Sequence, residues 1–165
     1  MNLNTINDIA AELFLALRNQ QTIAPLTDKF PEININDAYQ ISRKFLSLRE
    51  EQGEKIVGKK IGVTSSVVQE MLGVNQPDFG FLTNTMQVLN KSDFSIQGSL
   101  IQPRAEAEIA FILKDDLHGP GITKEDVIQA TAKILPCFEI VDSRILDWNI
   151  KIQDTVADNA SCGIF

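Results

Sequence analysis

The chain of 165 residues carries a net charge of −7, with 44% hydrophobic and 22% charged residues. This composition is that of an ordinary globular domain, and the acidic balance argues against a nucleic-acid partner, which requires a basic surface. No apolar run approaches the length of a membrane span, and the first residues lack a signal-peptide pattern. We therefore expect a cytoplasmic protein without membrane association.

A helical region is predicted first, over residues 1–54. Apolar residues recur at helical spacing near the N-terminus, and the first helix is predicted to begin near residues 5–7. Asn36 is the expected N-cap of a second helix, and Gly53 is its expected terminator. The pattern then changes to strands, so we predict an α+β protein whose strand-rich part covers residues 55–165.

The strand-rich part is predicted to open with a strand over residues 55–63. A short helix follows, which Ser65 or Ser66 caps and Gly73 ends. Proline, aspartate and glycine lie close together in residues 75–80, so this segment has the chemistry of a loop.

Three further strands and one helix are predicted beyond this loop. The strands cover residues 81–89, 99–113 and 136–145. Thr123 and Asp126 form a capping-box pattern, which predicts a helix over residues 124–134. Cys137 and Cys162 are too few for a disulfide framework and are expected to be reduced.

Three glutamates in this part are candidate metal ligands. Glu106 and Glu108 lie two residues apart in a predicted strand, so their carboxylates point to the same face. Glu139 lies inside another apolar run, where a carboxylate is costly unless it is neutralised, paired or bound to a metal. Three converging carboxylates would suit Mg²⁺ or Mn²⁺. The spacing taken alone, however, favours the solvated face of a strand.

Five ordered blocks carry a resemblance to a known family. They are GKKIGVTS (58–65), LGVNQPDFGFL (72–82), IQPRAEAEIAFIL (101–113), LPCFEIVDSRILDW (135–148) and DTVADNASCGIF (154–165). Together they resemble the 2-oxopent-4-enoate (2-hydroxypenta-2,4-dienoate) hydratases of aromatic-compound catabolism, in the fumarylacetoacetase superfamily. The resemblance implies a small helical part followed by a β-rich domain with a mixed sheet or barrel. It also implies that this domain is incomplete at the C-terminus, so we expect little activity from these 165 residues alone.

The resemblance implies a metal-dependent reaction. Family members add water to 2-hydroxypenta-2,4-dienoate and form 4-hydroxy-2-oxopentanoate. The enol first becomes an unsaturated 2-oxo acid, whose C4 is electrophilic, and a divalent cation withdraws electrons from the conjugated system. By motif, Glu106, Glu108 and Glu139 are the expected ligands of Mg²⁺ or Mn²⁺.

The resemblance also selects residues for proton transfer and substrate binding. Asp78, in QPDFG, matches the family's proposed acid/base position, although without the resemblance a turn-forming aspartate would be the favoured interpretation. Lys59 and Lys60 are adjacent on a predicted strand, so only one can face inward. The motif selects Lys60 to contact the substrate carboxylate or relay a proton, with a solvated lysine as the alternative. Ser161, in DNASCG, is a candidate hydrogen-bond donor to substrate or water.

Other interpretations remain open. A sister decarboxylase acting on 2-oxo-3-hexenedioate (4-oxalocrotonate) would share the metal site, and an inactive shortened subunit would share the motifs. A C–C bond hydrolase of the superfamily is disfavoured because the only histidine, His118, lies in a polar turn. Arg104 and Arg144 could bind a carboxylate, or could form structural ion pairs. The resemblance further implies a homo-oligomer and association with a sister decarboxylase.

Overall fold

The computed structural model describes residues 1–90 and 92–165, and opens with three helices. These are α1 (Leu3–Asn19), α2 (Leu26–Lys29) and α3 (Ile35–Glu51). Apolar faces of α1 and α3 pack together around Leu13, Ile41 and Phe45, which are fully buried. In the described part of the chain, no helix is long and apolar enough to cross a membrane.

Two helix starts differ from the prediction because earlier asparagines provide the caps. Asn2 accepts a hydrogen bond from the backbone N–H of Thr5, so α1 begins before the predicted residues 5–7. Asn34, not Asn36, caps α3, and Asp37 completes a capping box with it. In both cases the cap satisfies N–H groups that the helix itself leaves free.

Strands follow the helices and pair in two small antiparallel sheets. Strands β1 (Ile56–Gly62) and β2 (Asp78–Thr83) form the first, with α4 (Ser66–Leu72) between them. Strands β3 (Pro103–Leu113), β4 (Thr131–Asp142) and β5 (Cys162–Ile164) form the second, in that order. Helices α5 (Lys124–Ala130) and α6 (Ile152–Ala157) precede β4 and β5. The predicted α+β class is confirmed, and the described strands do not close a barrel.

Two predicted elements end early. The strand predicted over residues 81–89 stops at Thr83, and a 3₁₀ turn covers Asn84–Met86. The helix predicted over residues 124–134 stops at Ala130, because the following residues pair with the end of β3. Long-range strand pairing thus overrides a local helical pattern.

The main core joins the N-terminal helices to a late part of the chain. Ile145, Val156 and Ala157 pack into the same buried cluster as residues of α1 and α3. The proposed division into residues 1–54 and 55–165 stays a prediction.

Candidate active site

The three predicted glutamates meet on one face of the β3–β4 ladder. Glu106 lies directly opposite Glu139, and Glu108 follows on the same face of β3. Each offers a carboxylate oxygen within 4.8 Å of the other two. Glu139 is only 5% exposed, whereas Glu106 and Glu108 are exposed. The sheet register therefore brings together side chains that lie more than thirty positions apart in the sequence.

The chemistry of this cluster fits a hard divalent cation. Oε1 of Glu139 is buried and has no hydrogen-bond partner among the described residues. Burial raises the pKa of Glu139, Lys60 partly offsets this effect, and the charges of Glu106 and Glu108 add to it. A cation that binds oxygen ligands would supply the missing partner and relieve the repulsion between the carboxylates.

Lys60 lies beside this cluster, while its neighbour Lys59 does not. The Nζ of Lys60 is 3.3 Å from each carboxylate oxygen of Glu139 and donates a hydrogen bond to Oε2. Lys59 is exposed, with its ammonium 5.9 Å from the ring centre of Phe81. Burial acts against the charge of Lys60, but neighbouring acidic groups, with Glu139 and Asp78 among them, hold its pKa above the ordinary value. The ammonium is therefore charged at neutral pH.

Asp78 opens strand β2 instead of lying in the predicted loop. It pairs with Gly62 at the end of β1 and is 4% exposed. Its Oδ1 is buried and lacks a hydrogen-bond partner in the described part of the chain. Burial raises the pKa of Asp78, although the charge of Lys60 counteracts it. The interpretation as a turn residue is wrong, because cross-strand pairing with Gly62 extends the sheet to this position.

Two glycines make room at the site. A Cβ atom at Gly62 would collide with Oδ1 of Asp78, so glycine lets the carboxyl group lie against β1. A Cβ atom at Gly80 would collide with the carbonyl oxygen of Asn159 and lie 2.8 Å from Sγ of Cys162. Strand β2 can therefore approach the turn at residues 159–161, the last turn, closely.

Ser161 is buried in this last turn but has a partner of its own. Its Oγ lies 3.1 Å from Oγ1 of Thr155 in α6. The structure gives it no hydrogen bond to Glu139, Lys60 or Asp78. Its predicted contact with substrate stays a prediction.

Cys162, the next residue, is the neighbour that the sequence did not indicate. Its fully buried thiol is close enough to Glu139 and Lys60 for their charges to act on it. Burial raises the pKa of this thiol to about 12, so the group is neutral at pH 7. In the sequence, Cys162 is recognisable only as a small residue that is expected to be buried. Its position beside Glu139 and Lys60 follows from the folded chain.

The last turn is held by Arg144. Its guanidinium pairs with Asp158 and donates to the carbonyl oxygens of Asp142 and Cys162. These contacts support a backbone whose residues 159–161 all have positive φ, a conformation that is costly for non-glycine residues. Arg144 thus forms a structural ion pair with Asp158. Arg104 instead lies over the ring of Trp148, at 4.3 Å from its centre.

The sequence and the fold of this chain are both similar to those of known proteins. No family model matches the chain. It is 63% identical over 154 residues to a 2-hydroxyhexa-2,4-dienoate hydratase of Comamonas testosteroni, a match that covers 93% of this chain and 58% of that protein. It is 56% identical over all 165 residues to a 2-hydroxypent-2,4-dienoate hydratase of Pseudomonas putida, of which it covers 74%.

A solved structure supports the same grouping. The 4-oxalocrotonate decarboxylase from Pseudomonas putida G7, complexed with magnesium and adipate, superimposes with a TM-score of 0.94 at 34% identity. That match covers 99% of this chain and 62% of the decarboxylase. The chain belongs to the 2-hydroxypentadienoate hydratase family, as its five motifs predicted. It spans 58% of the length of the first relative above and 74% of the second.

Proposed function

We propose that this protein is a metal-dependent hydro-lyase that converts 2-hydroxypenta-2,4-dienoate to 4-hydroxy-2-oxopentanoate in the catabolism of aromatic compounds. The observation that carries the proposal is the meeting of three carboxylates within 4.8 Å beside the partly buried side chain of Lys60 and the buried side chain of Asp78. Relatives named as dienoate hydratases, at 56% and 63% identity, support this reaction.

Glu106, Glu108 and Glu139 would hold Mg²⁺ or Mn²⁺. When bound, the cation draws electron density from the conjugated acid and so eases the addition of water. Oε1 of Glu139 is buried and accepts no hydrogen bond from the described residues, although the ammonium of Lys60 lies 3.3 Å away, and this free acceptor supports the assignment. The complex of the related decarboxylase with magnesium supports it independently.

Lys60 and Asp78 supply the remaining chemistry. The ammonium of Lys60 borders the glutamates, so it can hold the substrate carboxylate by a charge-assisted hydrogen bond. We assign proton transfer to Asp78, whose raised pKa brings it closer to neutral pH. Asp78 takes the proton of the 2-hydroxyl group and returns a proton to C5. Water then adds at C4 of the unsaturated 2-oxo acid, and its proton passes to C3. Ser161 is assigned as a hydrogen-bond donor to this water or to the substrate.

We also propose a homo-oligomer that works in the cytoplasm. The middle of one face of the β3–β4 ladder is apolar and exposed, and its pairs include Phe111 with Ile134 and Ala107 with Phe138. Such a face favours association, either with further copies or with a sister decarboxylase. Both cysteines are free, which suits a reducing compartment.

The decarboxylase activity is the second candidate. It is favoured by the superposition on 4-oxalocrotonate decarboxylase. The higher sequence identity to the hydratases favours hydration. Loss of carbon dioxide would use the same glutamates, so the two reactions are separated by substrate and not by metal.

The test offers both substrates, with Mg²⁺ or Mn²⁺, to a chain as long as the hydratase relatives, of which these residues cover 58% and 74%. We expect consumption of 2-hydroxypenta-2,4-dienoate, its arrest by EDTA, and its loss in Glu108→Gln. Glu125→Gln is the matched control, because this exposed glutamate lies on α5 outside the cluster. Release of carbon dioxide from 2-oxo-3-hexenedioate without hydration of the dienoate would establish the decarboxylase instead. Metal binding without either reaction would indicate an inactive subunit.

A further inference from the structure

The side chain of Asn159 joins the two sheets that carry the candidate site. Asn159 lies in the last turn, directly before β5, and is 2% exposed. The backbone N–H of Phe81 donates to its Oδ1 at 2.8 Å, and its Nδ2 donates to the carbonyl oxygen of Phe81 at 2.9 Å. One side-chain amide therefore bonds to the outer edge of β2 as a neighbouring strand would.

This contact lies directly behind Lys60. In the pairing of β1 with β2, Gly80 is opposite Lys60, and Phe81 is the next residue of β2. Gly80 also lets the turn come close, because a Cβ atom there would collide with the carbonyl oxygen of Asn159. The turn thus holds β2, and through its pairing Lys60, against the sheet that contains Glu139.

An asparagine suits this position for two reasons. The φ of Asn159 is 56°, in the left-handed region, which asparagine tolerates better than most non-glycine residues. Its amide also offers a donor and an acceptor together, and the backbone of Phe81 uses both. An aspartate would have the same shape but would lack the donor.

We propose that Asn159 is a positioning residue, whose amide sets where Lys60 and Asp78 stand relative to the three glutamates. The inference rests on the proposed function, in which the groups of the first sheet act on a substrate held at the second. The amide bonds to the backbone of β2 and not to these side chains, so it acts through the strand. Displacing a reacting group by about 1 Å can lower a rate by about 10²-fold.

The first test needs no turnover and is a double-mutant cycle in the metal-free protein. Asn159→Gly removes both hydrogen bonds and keeps a residue that adopts positive φ easily. The effect of Lys60→Met on the unfolding equilibrium constant should then be at least about fivefold smaller than in the wild type, because Lys60 has already left Glu139. Ala160→Gly is the matched control, since Ala160 has positive φ in the same turn and no hydrogen-bonding side chain. Its effect should simply add to that of Lys60→Met.

The second test measures hydration of 2-hydroxypenta-2,4-dienoate by a chain as long as the hydratase relatives. Asn159→Gly should lower kcat by about 10-fold or more, as expected for displaced reacting groups. Its Mg²⁺ affinity should change by less than about twofold, because all three glutamates lie in the β3–β4 ladder, away from the altered contact. Ala160→Gly should leave both quantities unchanged.

A second variant separates positioning from folding. Gly80→Ala disturbs the same contact from β2 and replaces Asn159→Gly in both tests if circular dichroism shows that variant to be unfolded. Additive effects with Lys60→Met, an unchanged kcat, or a parallel loss of kcat and Mg²⁺ affinity would overturn the proposal. Coupling to Lys60 in a wild-type chain that hydrates no dienoate would instead keep the contact between the sheets and refute the hydratase function.

Discussion

The ammonium of Lys60 lies 3.3 Å from each carboxylate oxygen of Glu139, and the two side chains are only 12% and 7% exposed. Little water reaches these two side chains, so each charge is compensated mainly by the other. A buried pair of this kind contributes little relative to an apolar pair, but removing one partner leaves an uncompensated charge.

Lys60→Met should therefore destabilise the metal-free protein by roughly 3 kcal/mol, the cost of leaving one charge of a buried pair alone. Chemical unfolding in EDTA would measure the loss. Glu139→Gln in the same chain should recover part of it, since Asp78 is then the one member of this group that has lost the compensating charge of Lys60. Lys59→Met is the control, because Lys59 is exposed. Equal stability of Lys60→Met and Lys59→Met would show that the pair is not a buried unit.

Asp78→Asn separates proton transfer from metal binding. The amide keeps the shape of the carboxyl group but cannot carry the proton, so turnover should fall by about 10²-fold or more. Metal affinity should hardly change, whereas Glu108→Gln should weaken it directly. Steady-state kinetics and metal titration measure the two effects. Near-normal turnover of Asp78→Asn would leave Asp78 as a structural residue only.

Gly62→Ala tests whether Asp78 must lie against β1. The new Cβ would collide with Oδ1 of Asp78, so the carboxyl group has to move and turnover should fall by about 10-fold or more, as expected for a displaced acid/base. Gly58→Ala is matched to it on the same strand, since its nearest neighbour would be Leu82 Cδ1 at an ordinary 3.6 Å. If both variants keep full turnover, close approach at Gly62 has no catalytic value.

The contacts of the Glu54 carboxylate predict that the free energy of unfolding falls at acidic pH. Burial acts to raise the pKa of Glu54, but hydrogen bonds from Arg49, Thr83 and Thr85 outweigh it and hold the pKa below the ordinary 4.5. The folded state then binds fewer protons than the unfolded state. Its stabilisation is fully present above the unfolded pKa and is lost as pH falls through the lower folded pKa.

Glu54→Gln should therefore flatten the dependence of unfolding free energy on pH below about 4.5. Urea unfolding at a series of pH values measures the slope. Glu50→Gln is the control, because Glu50 is exposed and its side chain forms no hydrogen bond or ion pair with the residues that the structure describes. An unchanged slope in Glu54→Gln would mean that the contacts from Arg49 and the threonines do not act on its charge.

The sequence predicted those features that depend on local pattern. Alternation along a strand placed Glu106 and Glu108 on one face, and the burial of Glu139 followed from its apolar surroundings. The capping residues Thr123 and Ser65 were likewise readable, since their hydrogen bonds span only three positions.

Features that depend on pairing between residues far apart in the sequence could not be predicted. Asp78 joins a strand only because Gly62 lies opposite, and Thr131 leaves the helical pattern because β4 pairs with β3. Cys162 reaches Glu139 through a turn with three positive φ values that Arg144 stabilises. Each of these outcomes is decided by contacts between residues far apart in the chain.

The apolar face of the β3–β4 ladder predicts self-association. Ile109 and Phe138 on this face are 64% and 68% exposed, so contact between copies would remove large apolar surfaces from water. The 165-residue chain should therefore show a rising average mass with concentration in sedimentation velocity. Ile109→Thr combined with Phe138→Thr keeps strand propensity but lowers hydrophobicity, and should return the chain towards the monomer. Val67→Thr, at a 75% exposed position on α4, should leave association unchanged. A wild-type chain that stays monomeric at every concentration would contradict this role for the face.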